Sequence, residues 1–303
     1  MDDTLAAARR WYAEDLLYKT PLLQNPQLIN AFASVPRELF VGPGPWRIIS
    51  DPYDNSAFLT PDTDPRWLYH DVLVTIDPNR NLNNGMPSFW ARNLDHLHIA
   101  RGERVLQVGA GTGYYSAVLA EIVGPFGRVT AVETDPALAA QAQANLANWP
   151  QVDVVAGDGR TVDVGELDIV VVFAGSTHPS RLWLDRLVEG GRLLMPLTSE
   201  SRRGFLLRVV RRRNRFEASS IGGVAVYPCM RSKACRAARC RSARCTLMIP
   251  DLATWQKSGF KDPDFGSKEI LSKWRPHPKV IGIGRNRTRH SRLAHCGPSQ
   301  GAN

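Results

Sequence analysis

Between Val105 and Gly113 the chain reads Val-Leu-Gln-Val-Gly-Ala-Gly-Thr-Gly, an apolar run that passes directly into three alternating glycines and then into a helix-forming stretch. A glycine-rich turn at such a junction brings backbone N–H groups close to a ligand where a Cβ would clash, and the helix start beside it attracts polar or anionic ligand groups. The chemistry implied is the holding of a nucleoside-bearing cofactor. A dinucleotide fingerprint needs Gly-x-Gly-x-x-Gly, whereas here the third glycine comes one residue early and Tyr114 stands in the sixth position. This spacing favours an S-adenosylmethionine loop made of Val108, Gly109, Ala110, Gly111, Thr112, Gly113 and Tyr114 over a nicotinamide site.

Two acids stand where such a cofactor needs them. Glu133 follows the loop by about 20 residues at the end of the next apolar run, the position from which a carboxylate accepts hydrogen bonds from both ribose hydroxyls. Asp158, in Gly157-Asp158-Gly159-Arg160, is placed with Gly159 to contact the adenine, although Asp between glycines is also ordinary turn chemistry.

The elements that position these residues are read from hydrophobic period. Short apolar runs alternate with helical patterns, the mark of a parallel sheet covered on both faces by helices. Strands are predicted at Arg104–Val108, Arg128–Glu133, Val152–Ala156, Asp168–Phe173 and Arg192–Pro196, with helices at Tyr114–Val123, Pro136–Asn148 and Pro179–Val188. Two further β-like runs, Gly204–Arg211 and Phe216–Tyr227, predict a closing antiparallel hairpin. The expected fold class is α/β, a doubly wound and mostly parallel Rossmann-like methyltransferase sheet with a C-terminal hairpin and a helical N-terminal cap. The cap is read from Thr4–Tyr18, with Leu5, Ala8, Trp11, Tyr12 and Leu16 on its apolar face, and from Pro26–Ala33. Gly42–Pro65, dense in Pro, Gly, Asp and Asn, predicts an irregular surface loop, and Pro87–Leu97 a helix with proline in its first turn. The domains expected are a cap and loop at 1–80, a cofactor-binding methyltransferase domain at 81–228 and a basic, disordered tail at 229–303.

The chain resembles the protein-L-isoaspartate O-methyltransferases. The resemblance rests on Val35-Pro36-Arg37-Glu38-Leu39-Phe40-Val41, the Val105–Ala120 loop and helix, Val132-Glu133, Gly157-Asp158-Gly159-Arg160 and the run Leu187–Pro196, and it spans about residues 4 to 227. It implies methyl transfer from S-adenosylmethionine to a carboxylate, the α-carboxylate of an isoaspartyl residue in damaged protein. Ahead of the helix at Pro87 the family shows Thr-Ile-Ser-Gln-Pro, its serine at the acceptor site, while this chain reads Asn83-Asn84-Gly85-Met86-Pro87. Asn83, Asn84 and Gly85 are the candidate acceptor-site residues, the asparagines as donors to a carboxylate; Asn-Asn-Gly is equally a turn former. A carboxylate is ionised at pH 7, so no general base is needed and no catalytic histidine is nominated among His70, His96, His98 and His178. Methylation of a small molecule or peptide natural product is the alternative that Gly85 raises.

The formal charge of +9 is unevenly placed: residues 229–303 hold 16 Lys+Arg against 4 Asp+Glu, leaving 22 against 25 for the first 228. The folded part is therefore not basic, and nucleic acid is a candidate partner only through the tail, as in a cofactor-binding but inactive module that holds RNA there. The cysteines Cys229, Cys235, Cys240 and Cys245 match no Cys-x-x-Cys pair, and no metal is expected. No apolar run approaches the ~20 residues of a membrane helix, and the start lacks a secretory pattern, so a cytoplasmic monomer acting on protein or peptide carboxylates is expected.

Overall fold

A computed structural model describes residues 3–20, 25–51, 56–198, 203–213 and 215–225. The basic tail and its cysteines lie outside the described residues, as does the end of the predicted hairpin at Tyr227.

The order of the seven-stranded sheet follows from where the chain can cross over. Strands β5 (Arg104–Val108), β6 (Arg128–Glu133) and β7 (Val152–Ala156) step outward in parallel, and the chain then returns to place β8 (Leu167–Val172) on the other side of β5. β9 (Leu187–Thr198) continues in parallel, and β10 (Arg203–Arg212) and β11 (Arg215–Ala225) close the edge antiparallel, giving the order β11-β10-β9-β8-β5-β6-β7. The reversal between β5 and β8 is a topological switch point, the place at whose carboxyl edge such sheets bind ligands.

Successive side chains of the inner strands enter two different cores, as a sheet covered on both faces requires. Val105, Ala131, Ile169, Val171 and Leu194 join one core; Leu106, Val132, Val170, Val172 and Leu193 join the other. The first core also takes in the N-terminal cap, α1 (Asp3–Lys19) and α2 (Pro26–Ser34), together with α3 (Pro87–Asp95) and α4 (Tyr114–Val123). In α1 the buried set is Arg9, Tyr12, Ala13 and Leu16. Trp11, expected on the apolar face, is 75% exposed; Arg9 is buried instead, its guanidinium 5.9 Å from the Tyr69 ring centroid.

The segment expected as an irregular loop at 42–65 contributes two strands to a small sheet. β1 (Arg47–Asp51), β2 (Ser56–Leu59), β3 (Leu73–Asp77) and β4 (Leu82–Asn83) form a small antiparallel sheet in the order β2-β1-β3-β4. Ile48 pairs with both Phe58 and Val74, and a separate core of Val41, Trp46, Ile48, Leu68 and Val74 lies beneath. Its strands hold two to five residues, so turn-forming residues between them dominate the local composition. Other boundaries shift as well, β9 beginning five residues before the expected Arg192 and α3 ending at Asp95 rather than Leu97. α5 (Pro136–Asn145) ends before Asn148, and α6 covers only Arg181–Arg186 because Leu187 already pairs with Leu167 as the start of β9.

Candidate active site

The glycine loop leaves β5 with Gly109, Gly111 and Gly113 all at positive φ, +85°, +57° and +99°, a region costly for other residues. Space differs among them. A Cβ on Gly111 would meet nothing within 4 Å, whereas one on Gly113 would stand 2.8 Å from Leu146 Cδ1. The first two glycines thus shape a bare backbone cradle, and the third lets α4 pack against the end of α5. The N–H groups of Gly109 and Ala110 donate to Val132 O at 2.8 and 3.1 Å, pinning the cradle to β6.

Other loop residues face inward. Thr112 Oγ1 donates to Phe40 O at 2.6 Å, and Asn145 Nδ2 donates to Thr112 O at 2.9 Å. Tyr114 is buried, its ring edge-on to Phe40 and its hydroxyl 3.2 Å from that of Tyr12. Burial raises the Tyr114 phenol above its ordinary range. Val108 turns into the second core and packs on Gly159, where a Cβ would come within 2.7 Å of Val108 Cγ1. Tyr114 and Val108 therefore support the cradle from behind with their side chains.

Glu133, at the end of β6, is buried beside the loop. Its Oε2 accepts from Gly111 N at 2.8 Å and its Oε1 from Asp135 N at 3.1 Å and Thr134 Oγ1 at 3.3 Å. Oε1 thus already accepts two bonds, while Oε2 keeps a further lone pair for a ligand hydroxyl. Asp135 caps α5 through the N–H groups of Ala137 and Leu138, and Arg80, from the turn between β3 and β4, reaches it at 2.6 Å. Asp158 is held by Arg160, whose Nη2 lies 2.6 Å away, and this bond holds its carboxyl below the usual range. Gly159 is fixed as well, its carbonyl accepting from the buried Trp183 Nε1 at 2.6 Å.

The third candidate group, Asn83–Gly85, reaches the site through the small sheet. Asn83 Oδ1 accepts from Gly85 N at 2.9 Å, an Asx turn. Asn84 turns inward: its Oδ1 accepts from Val74 N at 3.0 Å and Arg37 Nη2 at 3.2 Å, and its Nδ2 is buried without a partner. Asn84 is thus a support for the loop, whereas Asn83 is only half-buried. Gly85 has φ +79°, and a Cβ there would lie 2.9 Å from Trp90 Nε1 and 3.1 Å from Tyr115 Cε2. Tyr115 hydroxyl donates to Gly85 O at 3.2 Å. Trp90 stacks on Phe173 with centroids 3.8 Å apart and planes at 27°.

Sequence reasoning gave Arg37 no role of its own, yet it organises this region. Fully buried, it donates to the carbonyls of Leu68, His70 and Val72 at 2.7, 3.0 and 2.6 Å, and lies near the Tyr12 and Tyr114 rings. An arginine inside Val-Pro-Arg-Glu, amid apolar neighbours, is the signal that could have marked it. His70, His96, His98 and His178, none of them expected to be catalytic, are all exposed. Among the described residues no cluster of His, Cys, Asp or Glu could hold a metal ion, and no helix is long and apolar enough to cross a membrane.

The family described as protein-L-isoaspartate(D-aspartate) O-methyltransferase matches residues 15–233. A protein-L-isoaspartate O-methyltransferase of Aeropyrum pernix is 34% identical over 60% of this chain and 64% of its own, so the match spans just under two thirds of that relative. The Methanoculleus marisnigri protein of the same name is 31% identical over 67% of this chain and 83% of its own. Among solved structures, a protein-L-isoaspartate O-methyltransferase aligns with TM-score 0.59 at 23% identity, over 72% of this chain and 66% of that one. A putative Plasmodium falciparum enzyme in complex with S-adenosyl-L-homocysteine aligns with TM-score 0.57 at 16% identity, over 74% and 99%. These two structures share the fold. With the family match covering more than half its length, the chain belongs to the protein-L-isoaspartate(D-aspartate) O-methyltransferase family.

Proposed function

We propose that this chain transfers a methyl group from S-adenosylmethionine to a carboxylate on a protein or peptide, as an isoaspartyl-type O-methyltransferase. The observation that carries the reading is Glu133, whose carboxylate is drawn onto Gly111 N across the open glycine cradle. The residues fit the cofactor: Gly109 and Gly111 leave room for a ligand against bare backbone, and Glu133 Oε2 keeps an acceptor site for a ribose hydroxyl. Asp158 and Gly159 would border the adenine, with Asp158 sharing its oxygens with Arg160.

When bound, S-adenosylmethionine supplies a methyl group already activated on a sulfonium. The protein's part is orientation. Gly109–Gly113 and Glu133 set the position of the nucleoside, and the Asn83–Gly85 turn sets that of the acceptor oxygen. Alignment of this kind supplies several kcal/mol without any proton transfer. Labelled methyl transfer to an isoaspartyl peptide, released again by mild base as an ester is, tests the reading. Binding of S-adenosylhomocysteine with no transfer to any carboxylate would reject it.

A different acceptor is the second reading, favoured by Gly85. Two rings occupy the space that a serine side chain would enter, so the hydroxyl of the family motif is missing and cannot simply be added back.

A further inference from the structure

We infer that the aromatic stack of Phe173, Trp90 and Tyr115 takes over acceptor recognition from the family's serine hydroxyl, and that it selects carboxylates flanked by a flat aromatic group. This rests on the methyl-transfer reading above. The polar inventory of the acceptor turn comes first. Gly85 N–H is used by Asn83 Oδ1, its carbonyl by the Tyr115 hydroxyl, and the Asn84 amide is turned into the interior. A carboxylate seeking donors finds little here beyond the Asn83 amide nitrogen.

What replaces those donors is ring surface. Trp90 and Tyr115 are buried, while Phe173, which stacks on Trp90 and lies 5.0 Å from Tyr115 by centroids, is only half-buried. Phe173 also sits at the edge of the cofactor cradle: its N–H donates to Val108 O at 2.8 Å, and its Cβ would be 3.6 Å from a Cβ on Gly109. An apolar ring therefore stands beside the loop from which the methyl group is delivered, backed by two more rings that hold it in place. A flat group beside the acceptor carboxylate gains by stacking on such a surface, about a three- to tenfold preference. A small polar neighbour gains nothing comparable.

The test uses two isoaspartyl peptides that differ only in the residue after the isoaspartate, phenylalanine in one and serine in the other. The kcat/KM ratio for the pair is measured with the full chain, Trp90→Val and Phe173→Thr; being a ratio, it does not depend on cofactor affinity or on the folded fraction. The full chain is expected to prefer the phenylalanine peptide by about three- to tenfold, and the ratio to fall toward one in both variants. If Trp90→Val fails to fold, Phe173→Thr decides, since its ring is the half-buried one. A ratio of one in the full chain, or a preference unchanged in Phe173→Thr, overturns the inference and leaves methyl transfer standing. Absence of transfer to both peptides while S-adenosylhomocysteine binds overturns the carboxylate reading, and the inference with it.

Discussion

Glu133 Oε2 and Gly111 N are 2.8 Å apart, so the acid at the end of β6 is held by the same loop that forms the cofactor cradle. The bond orients the carboxylate before any ligand arrives, and it makes the strand end and the glycine turn a single preorganised unit.

The glycines of that turn predict two different failures. Gly111→Ala meets open space and bears only the positive-φ cost of about 1–2 kcal/mol, but its methyl group enters the cradle. It should stay folded and lose S-adenosylhomocysteine binding. Gly113→Ala combines φ +99° with a contact 2.8 Å from Leu146, and should cost about 2–5 kcal/mol. Thermal melts alongside calorimetry separate the two; equal stability of both variants would contradict the division of roles.

Arg37 predicts a structural loss at a distance from the chemistry. Arg37→Leu takes the guanidinium donor from the Leu68 and Val72 carbonyls and one of two donors from His70 O and Asn84 Oδ1. The cost should be about 3–5 kcal/mol. Lysine should restore little of it, because one ammonium cannot reproduce the planar fork. Denaturant unfolding of Arg37→Leu and Arg37→Lys checks this, and a lysine variant as stable as the parent would show the fork to be dispensable.

The acid limb of stability should involve Asp168. Burial pushes its carboxyl up, but bonds from Arg104, through the main-chain N–H at 2.9 Å and Nε at 3.0 Å, outweigh this and hold it below its usual range. A carboxyl with a lowered folded pKa adds stability that is fully present above the unfolded value of about 3.9 and is lost as pH falls through the folded value. With Arg104 44% exposed, the pair is worth about 1 kcal/mol at most after screening. Urea unfolding of Asp168→Asn should run parallel to the parent above about pH 5 and converge with it below about pH 4. A gap that widens toward acid would contradict the sign.

Much of this was readable in the residues, and the exceptions share a cause. The strand, glycine turn and helix at Arg104–Val123 follow local rules of period and φ, and so does the acid ending β6. Gly85 has a cause that no local rule shows: its space is taken by Trp90 and Tyr115, brought together only by folding. Asn84 was expected at the acceptor but is claimed by Arg37, a partner from the cap. The small sheet escaped because its strands are short and its turn residues many, while Trp11 fits the helical period yet lies on the solvent side of α1.

The central claim is that Glu133 and the bare glycine cradle hold an adenosyl cofactor of the sulfonium class. Calorimetric titration of the full chain and Glu133→Ala with S-adenosylhomocysteine, and of the full chain with NAD, tests it most directly. The account predicts saturable binding of S-adenosylhomocysteine, no heat with NAD, and affinity weakened by about tenfold or more in Glu133→Ala, the loss of hydrogen bonds to a charged acceptor. Binding of NAD in preference, or an alanine variant that binds as tightly as the parent, would contradict it.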